Sequence, residues 1–558
     1  MTTVSTGGIA WNVCDQPGCI GVTAPPYDSC LAHLRSGQRA RVLIGTTAGI
    51  LADFRGVAFT AELFEELCGR TRFLQSARFD HAQFLGDVTF SGVPWPSAVG
   101  MVSASDIVFL GDASFRRAVF RGSADFGTAR FRGRAAFDGA RFEGEALFDE
   151  VSFGGHATFH RAVFEQYASF RGVRAEQGIA FHRARFAGEL EGTLVSDGTV
   201  DLSGTSVAQA LRLQVAATAL DCTAATFNGP NTLQLRYAAV DLTDTDLHGQ
   251  TSLNWHLGWF SEPDGSWLDD SFLPGSLRPR VVSLRGVDAA QLMLTDIGLE
   301  QCRFFGARNL DQIHMAGECT FQSPATRWTR IGPLPFRWSR RNAIADEHQW
   351  RRQGAYPRGL AWSGDDYDVP GVLVEPDHIG DLYRQLRKAL EDRKYEPGAA
   401  DFYYGEMEMR RRAQFRTTLA ERWLLHAYWL LSGYGLRASR ALGWLALTMM
   451  VSVLLLLGLG LPDSDPQQVA TGTVPAAGRP LSLTIATQDP RLTLPADRRF
   501  TGPRADRALR IVLNSAVFRS GDADLTTWGT YTEMAGRFSE PVLLGLAALA
   551  VRGRIKRG

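Results

Sequence analysis

The chain has 558 residues, and its 59 Lys or Arg are balanced by 59 Asp or Glu, so bulk charge gives no reason to expect a polyanionic partner such as nucleic acid. With 45% hydrophobic residues, 33 Phe and 13 Trp, it is too apolar and too aromatic for a mostly disordered protein. The seven Cys, at 14, 19, 30, 68, 222, 302 and 319, are odd in number, and the start MTTVSTGGIAW lacks the basic-then-apolar run of a signal peptide. These features lead us to expect a reducing cytosolic setting without disulfides.

Residues 1–45 contain Cys14, Cys19, Cys30 and His33, spaced C-x4-C-x10-C-x2-H within twenty residues. Three thiolates and an imidazole complete a tetrahedral Zn2+ shell, and Pro/Gly-rich connections suit a small knuckle with no core of its own. The final C-x-x-H resembles half of a zinc knuckle. Such a set is closed, so the expected metal is structural and leaves no open position for catalysis.

A repeat follows. Phe109, Phe115, Phe120, Phe126, Phe131, Phe137, Phe142, Phe148, Phe153, Phe159, Phe164 and Phe170 are separated by alternating steps of six and five, and Phe181 and Phe186 continue the series after Ala175. Two residues before these positions stands a small or branched residue, as at Ala113, Ala118, Ala124, Ala135 and Val151, giving an eleven-residue unit F-x-G-x-A-x-F-x-x-A-x. An 11-residue period also suits a right-handed coiled coil. However, the recurrent Gly86, Gly111, Gly122, Gly133, Gly144 and Gly155 would break a helix, and they suggest corners of positive φ. Residues i and i−2 of an extended segment face the same side, so Phe and Ala point inward and the polar residues between them outward. The rhythm is already present at Phe73, Phe79, Phe84 and Phe90, lapses around Val93 to Ser105, and weakens after Phe186. It returns with Leu242, Leu247 and Leu253, and after a Pro/Gly/Trp-rich excursion at 256–279 it runs on to Phe321. Cys302 and Cys319 occupy the small inward slot two before Phe304 and Phe321, as core residues would.

The stretches ADFGTARF, AAFDGARF and AVFRGSADF resemble the pentapeptide-repeat family in its Phe-centred variant. The resemblance implies a mainly β fold, a right-handed quadrilateral β-helix over residues 50–325. Two eleven-residue units per turn give some ten coils, stacked about 4.7 Å apart. Each buried Phe would contribute about 2 kcal/mol.

From residue 326 to 440 the pattern is helical, with Ile379, Leu382, Leu386, Leu390, Phe402 and Met409 on one spacing and Pro397-Gly398 as the break. The words YRQLRKALEDRKYEPGAADFYYGEMEMRR resemble the linker that follows the solenoid in membrane-bound pentapeptide-repeat proteins of high-GC bacteria, the actinobacterial kind. Asp346, Glu347 and His348, and Glu406 with Glu408, offer acid/base groups, but on amphipathic helices they read as a solvated face. Residues 441–461 carry no charge and are long enough to cross about 30 Å of hydrocarbon. Arg410, Arg411, Arg412, Arg416, Arg422, Arg437 and Arg440 precede this span and Asp463 and Asp465 follow it. The charge bias therefore puts the solenoid in the cytoplasm, at the inner (plasma) membrane. Residues 462–537 then lie outside, with 508–518 apolar enough for an interfacial helix. A second, shorter span at 538–551 returns the basic tail 552–558 to the cytoplasm.

Three function classes follow. The first is a non-enzymatic, membrane-anchored scaffold whose solenoid faces bind an unidentified protein; no P-loop, nucleophile elbow, HExxH or dinucleotide fingerprint is present. The second is a two-helix channel or sensor with a solenoid regulatory domain, suggested by Ser432-Gly433-Tyr434-Gly435, although this filter-like word precedes the first span. The third is the topoisomerase-shielding DNA mimicry known among pentapeptide-repeat proteins. Mimicry needs a strongly negative rod, whereas residues 71–190 carry fourteen Arg against thirteen acids.

Overall fold

The computed structural model describes residues 11–45, 52–70, 77–90, 94–95, 102–103, 105–261, 265–322, 329–331, 334–336, 341–352, 375–413, 418–462, 468–471, 484–487, 492, 494–495, 498–517 and 525–555. Phe73, Arg416, Asp463, Asp465 and the C-terminal Lys556 and Arg557 lie outside the described residues. The chain divides into two units, Met1–Phe402 and Tyr403–Gly558.

The first unit is built on a β-solenoid of about 11 turns. In mid-array a coil consists of four two-residue strands, Val108–Phe109, Ala113–Ser114, Val119–Phe120 and Ala124–Asp125. The chain then lays Arg130–Phe131 in parallel register on Val108–Phe109, 22 residues on. Equivalent rings therefore stack: Phe131 on Phe109 at 4.6 Å, Phe137 on Phe115 at 4.7 Å, Phe142 on Phe120 at 4.8 Å and Phe148 on Phe126 at 5.0 Å. Adjacent columns meet edge to face, as Phe109 and Phe115 do at 89°. Both arrangements suit the ring quadrupole. The alanines stack likewise, Ala113 under Ala135 under Ala157, leaving the bore to the rings.

The alternation of five and six residues reflects two kinds of corner, and this corrects the reading of the glycines. Five-residue steps turn through a residue of positive φ two after the Phe: Arg117, Thr128, Gly139, Glu150, Arg161, Gly172 and Arg183. Six-residue steps carry the recurrent glycines, and Gly111, Gly133, Gly144 and Gly155 do not have positive φ. They are needed for space. A Cβ on Gly144 would stand 2.5 Å from the Gly122 carbonyl carbon, and one on Gly155 would stand 2.5 Å from the Gly133 oxygen in the coil below.

The weakening after Phe186 is a change of cross-section, not an end. Residues Leu190–Asp201 and Leu211–Asp221 are continuous strands that run straight through one corner, and the coil shortens to 20 residues, as Ser206–Val207 to Thr226–Phe227. Leu, Val and Cys replace Phe as inward residues; Leu202, Val207, Leu213, Cys222 and Leu233 are all buried. Cys302 is also fully buried, while Cys319 is partly exposed.

Two helices were not expected: α1 (Ser36–Gly45), after the knuckle, and α2, Ala61–Arg70, which interrupts the first coils. The Thr60 hydroxyl accepts from Leu63 N (3.3 Å), and Leu63, Phe64 and Leu67 turn inward, with Phe64 meeting Phe90 at 4.5 Å.

At the other end helices α3 (Ala345–Arg352) and α4 (Pro376–Asp392) close the last coils. The buried Asp346 carboxylate accepts the backbone N–H of Phe304 and of Phe305, both at 3.0 Å, and Gln385 accepts that of Leu310 (3.2 Å). An uncovered coil would offer these donors to any other strand edge. Helix α5 spans Glu396–Arg412, so Pro397-Gly398 lies in its first turn, where a missing N–H costs nothing, and the break falls at residues 393–395 with Lys394 at φ 63°.

In the second unit α6 is Leu419–Ser432, α7 is Ala438–Leu455 and continues as a wider turn to Gly460, α8 is Gly502–Val517, and α9 is Thr527–Ile555. The second apolar helix therefore begins earlier than its uncharged stretch suggested, and Ala438–Gly460 and Thr527–Arg552 are both long and apolar enough to cross a membrane. Helices α7 and α9 cross at two glycines; a Cβ on Gly529 would stand 2.6 Å from the Gly460 carbonyl oxygen. Guanidinium groups of Arg499 and Arg504 donate to the Gly458 and Leu461 carbonyls at the end of α7, each at 2.8 Å. Helix α8 packs Ala508 and Val512 against Leu456, Leu457 and Leu461.

Candidate metal centre

The N-terminal segment folds around its cysteines by short-range pairing. Val13 pairs with Val22 and Thr23 with Cys30, both antiparallel, and Cys14 N donates to the Gly21 carbonyl (2.8 Å). A short 3-10 turn, Leu31–His33, then swings His33 back to the thiols. Sequence spacing and structure agree: the ligand atoms of Cys14, Cys19, Cys30 and His33 all lie within 4.8 Å of one another. Cys19 Sγ is 3.6 Å from Cys30 Sγ, and His33 Nδ1 is 3.4 Å from Cys14 Sγ and 3.3 Å from Cys30 Sγ. A tetrahedron with Zn–S near 2.3 Å and Zn–N near 2.0 Å has edges of about 3.5–3.8 Å, so the donor set fits that ion. Burial pushes the Cys30 thiol up to about 12 and raises Cys19 as well, so thiolates at these positions need a cation beside them.

Several supporting residues escaped sequence reasoning. Gly21 backs the centre, since a Cβ there would stand 2.8 Å from Cys30 Cβ and 2.9 Å from its Sγ. Asp15 Oδ1 accepts from Ser29 Oγ (2.8 Å), tying the two ligand loops. Trp11 donates to the Ile20 carbonyl (2.9 Å) and lies under the Arg55 guanidinium at 4.7 Å. Val22 N donates to the Arg55 carbonyl (2.8 Å), and Gly56 permits the approach because a Cβ there would meet Ile20 O at 2.4 Å. The knuckle is thus seated on the first turn of the solenoid.

The acidic groups read as a solvated face are buried instead, and this corrects the expectation. Asp346 is the coil cap described above, and burial pushes its carboxyl up to about 6. Burial would raise Glu347 too, but Arg341 and Arg351 outweigh it and hold the carboxyl well below the carboxylate range, with Tyr383 donating its hydroxyl. Glu408 pairs with Arg411 (2.9 Å) and Arg412 (3.0 Å). These three carboxylates are thus tied into the fold, Asp346 by backbone N–H donors and Glu347 and Glu408 by arginines. The Ser432–Gly435 word is a turn: Gly433, Tyr434 and Gly435 all have positive φ, and the Tyr434 ring is buried against Tyr404 and Leu425.

The family model for pentapeptide repeats (9 copies) matches residues 104–152. No curated protein and no solved structure gives a significant match. The matched residues lie in the Phe-stacked part of the solenoid, and the coil they form continues on both sides, so the chain carries a run of pentapeptide repeats within a longer β-solenoid.

Proposed function

We propose that the chain is a non-enzymatic interaction scaffold: a solenoid held on the cytoplasmic face of the plasma membrane by a two-helix hairpin, with its first turn closed by a structural Zn2+ on Cys14, Cys19, Cys30 and His33. The observation that carries the membrane reading is how little of the apolar helices is covered. Only 11% of an apolar 18-residue stretch within Ala438–Gly460 and 28% of one within Thr527–Arg552 is buried, whereas a soluble core helix is mostly covered. Leu447, Met450, Val451, Leu454 and Leu455 on α7, and Phe538, Val542, Leu544 and Leu549 on α9, all face outward. Surface of this kind gains about 25 cal/mol per Å2 on leaving water. Orientation follows from the Arg cluster before α7. Cys introduced at Ser464 is expected to react with an impermeant thiol reagent in intact cells, and Cys at Gly558 only after lysis; labelling of Gly558→Cys without lysis would refute the hairpin.

The scaffold reading is supported by the flanks of the solenoid. Their charges neutralise one another from coil to coil, as Arg116–Asp138 (3.1 Å), Arg141–Glu165 (2.9 Å) and Arg171–Asp149 (3.0 Å), which suits protein contact better than imitation of a polyanion. The excursion after residue 256 is fastened: the buried Arg236 donates to Asp270 and to the Leu257 carbonyl (2.7 Å), while Phe260, Leu268 and Leu273 pack on Val195 and Ala216. Its other side leaves Leu257, Trp259, Trp267 and Phe272 exposed. Exposed Trp on a rigid support is the usual anchor of a protein interface. Proximity labelling from the full chain in cells is expected to lose a subset of proteins in a Trp259→Ser/Trp267→Ser variant with unchanged thermal stability. Identical sets would count against this surface and, with it, the scaffold.

A further inference from the structure

On the reading that α7 and α9 cross the membrane, we infer that Glu540 is a proton-binding site inside the helix pair. Its side chain is 1% exposed, and among the described residues neither carboxylate oxygen has a hydrogen-bond partner. This sets it apart from the other carboxyl on the helix, Glu533, which is paired with Arg537 (2.9 Å). Helix α7 brings only one charged side chain, Arg440, whose guanidinium donates to the Trp429 carbonyl (3.1 Å). On α6 Glu421 is bound to Arg410 (3.0 Å) and His426 to the Arg422 carbonyl (2.7 Å), and on α8 Asp506 to Arg510 (2.8 Å). A carboxylate left in hydrocarbon without a cation is too costly to persist, so the group holds a proton.

Two sequence features make room for this. Gly536 lies one turn back, and a Cβ there would stand 3.3 Å from Glu540 Oε1, so the glycine clears the place into which the carboxyl folds. Pro541, next in the helix, has no N–H and leaves a backbone carbonyl without its helical donor. Glu540 is eleven residues beyond Gly529 at the crossing with α7, about 16 Å along the helix axis, or about half the hydrocarbon thickness. A neutral carboxylic acid at that depth is one that can take up and give back a proton as conditions change.

The test uses the full chain in phosphatidylethanolamine/phosphatidylglycerol vesicles and dicyclohexylcarbodiimide, an apolar reagent that adds to a protonated carboxyl without a leaving group. Mass spectrometry is expected to find the whole reagent mass on Glu540, with Glu533 unmodified and no label at that peptide in Glu540→Gln. Above the midpoint the labelling rate should fall about tenfold per pH unit, as for one titrating group. Absence of label on Glu540 while the chain resists alkaline carbonate extraction would overturn the inference alone; release by carbonate would overturn the membrane reading beneath it. Protection by Na+ or K+ at constant pH would make the site one for a metal cation and reject the proton.

Discussion

Phe142→Asp is expected to lower the thermal midpoint of the solenoid by about 10 °C or more, since several kcal/mol are at stake. The ring is fully buried, with Phe120 stacked on one side and Phe164 on the other, both at 4.8 Å. Truncating such a ring costs about 3–5 kcal/mol before any charge is introduced. The carboxylate would find no donor among Phe and Ala side chains. Because each coil is stabilised mainly by the coils on either side, the loss should spread through several of them. The adjacent Arg141→Asp removes only half-exposed ion pairs to Glu143 and Glu165 and should change the midpoint by a degree or two, about what a surface pair is worth. Differential scanning calorimetry of the two variants decides the matter; equal midpoints would mean that Phe142 is not the inward residue.

Removal of the metal should have the next largest effect. The Cys14–His33 segment has few buried apolar residues of its own, and small domains of this kind take most of their folding free energy from the ion. The chain purified without chelator is expected to carry one Zn2+. Chelation, or Cys30→Ser, should then expose Arg35, Arg39 and Arg41 to trypsin at a rate raised at least about tenfold, the consequence of losing more than about 1.4 kcal/mol of local stability. Gly21→Val should have the same effect in weaker form, through crowding of Cys30 rather than loss of a ligand. A chain free of zinc, equally resistant to trypsin with and without chelator, would eliminate the centre.

How much of this was legible before the structure depends on what a residue's neighbours in sequence reveal. Phe109 to Phe186 declare themselves because an inward column has to repeat at the period of the coil, so a one-dimensional pattern carries the three-dimensional one. The same rhythm concealed α2. Phe59 and Phe64 are five apart, a legitimate repeat step, so the first turn of the helix keeps the spacing of a coil, and only the nine residues from Phe64 to Phe73 break it. Past Phe186 the inward positions were filled by Leu202, Val207 and Cys222, which any core uses, so continuity of the coil lost its signature. The ligands of the metal centre were legible because Cys and His are rare and four fell within twenty residues. Gly21 was not, because steric need is a property of what lies opposite. Glu347 was misread for a similar reason: a Glu followed by Arg351 has the same spelling whether the pair lies in water or is closed over by Arg341 and Tyr383.

The strict 22-residue register of the middle coils acts as a phase. Duplicating one whole coil there would lengthen the stack by a single strand spacing, about 4.7 Å, and leave every later flank pointing as before. Duplicating one eleven-residue unit would be equally acceptable to the Phe and Ala columns, because each unit repeats the same inward residues. It would nonetheless advance everything downstream by two of the four sides, carrying the strand pair Phe260–Ser261 and Trp267–Leu268 to the flank opposite the one it now occupies. Lineages that add or lose half-coils would thereby redirect a contact surface without touching one residue in it, whereas additions of full coils only change its distance from the first turn.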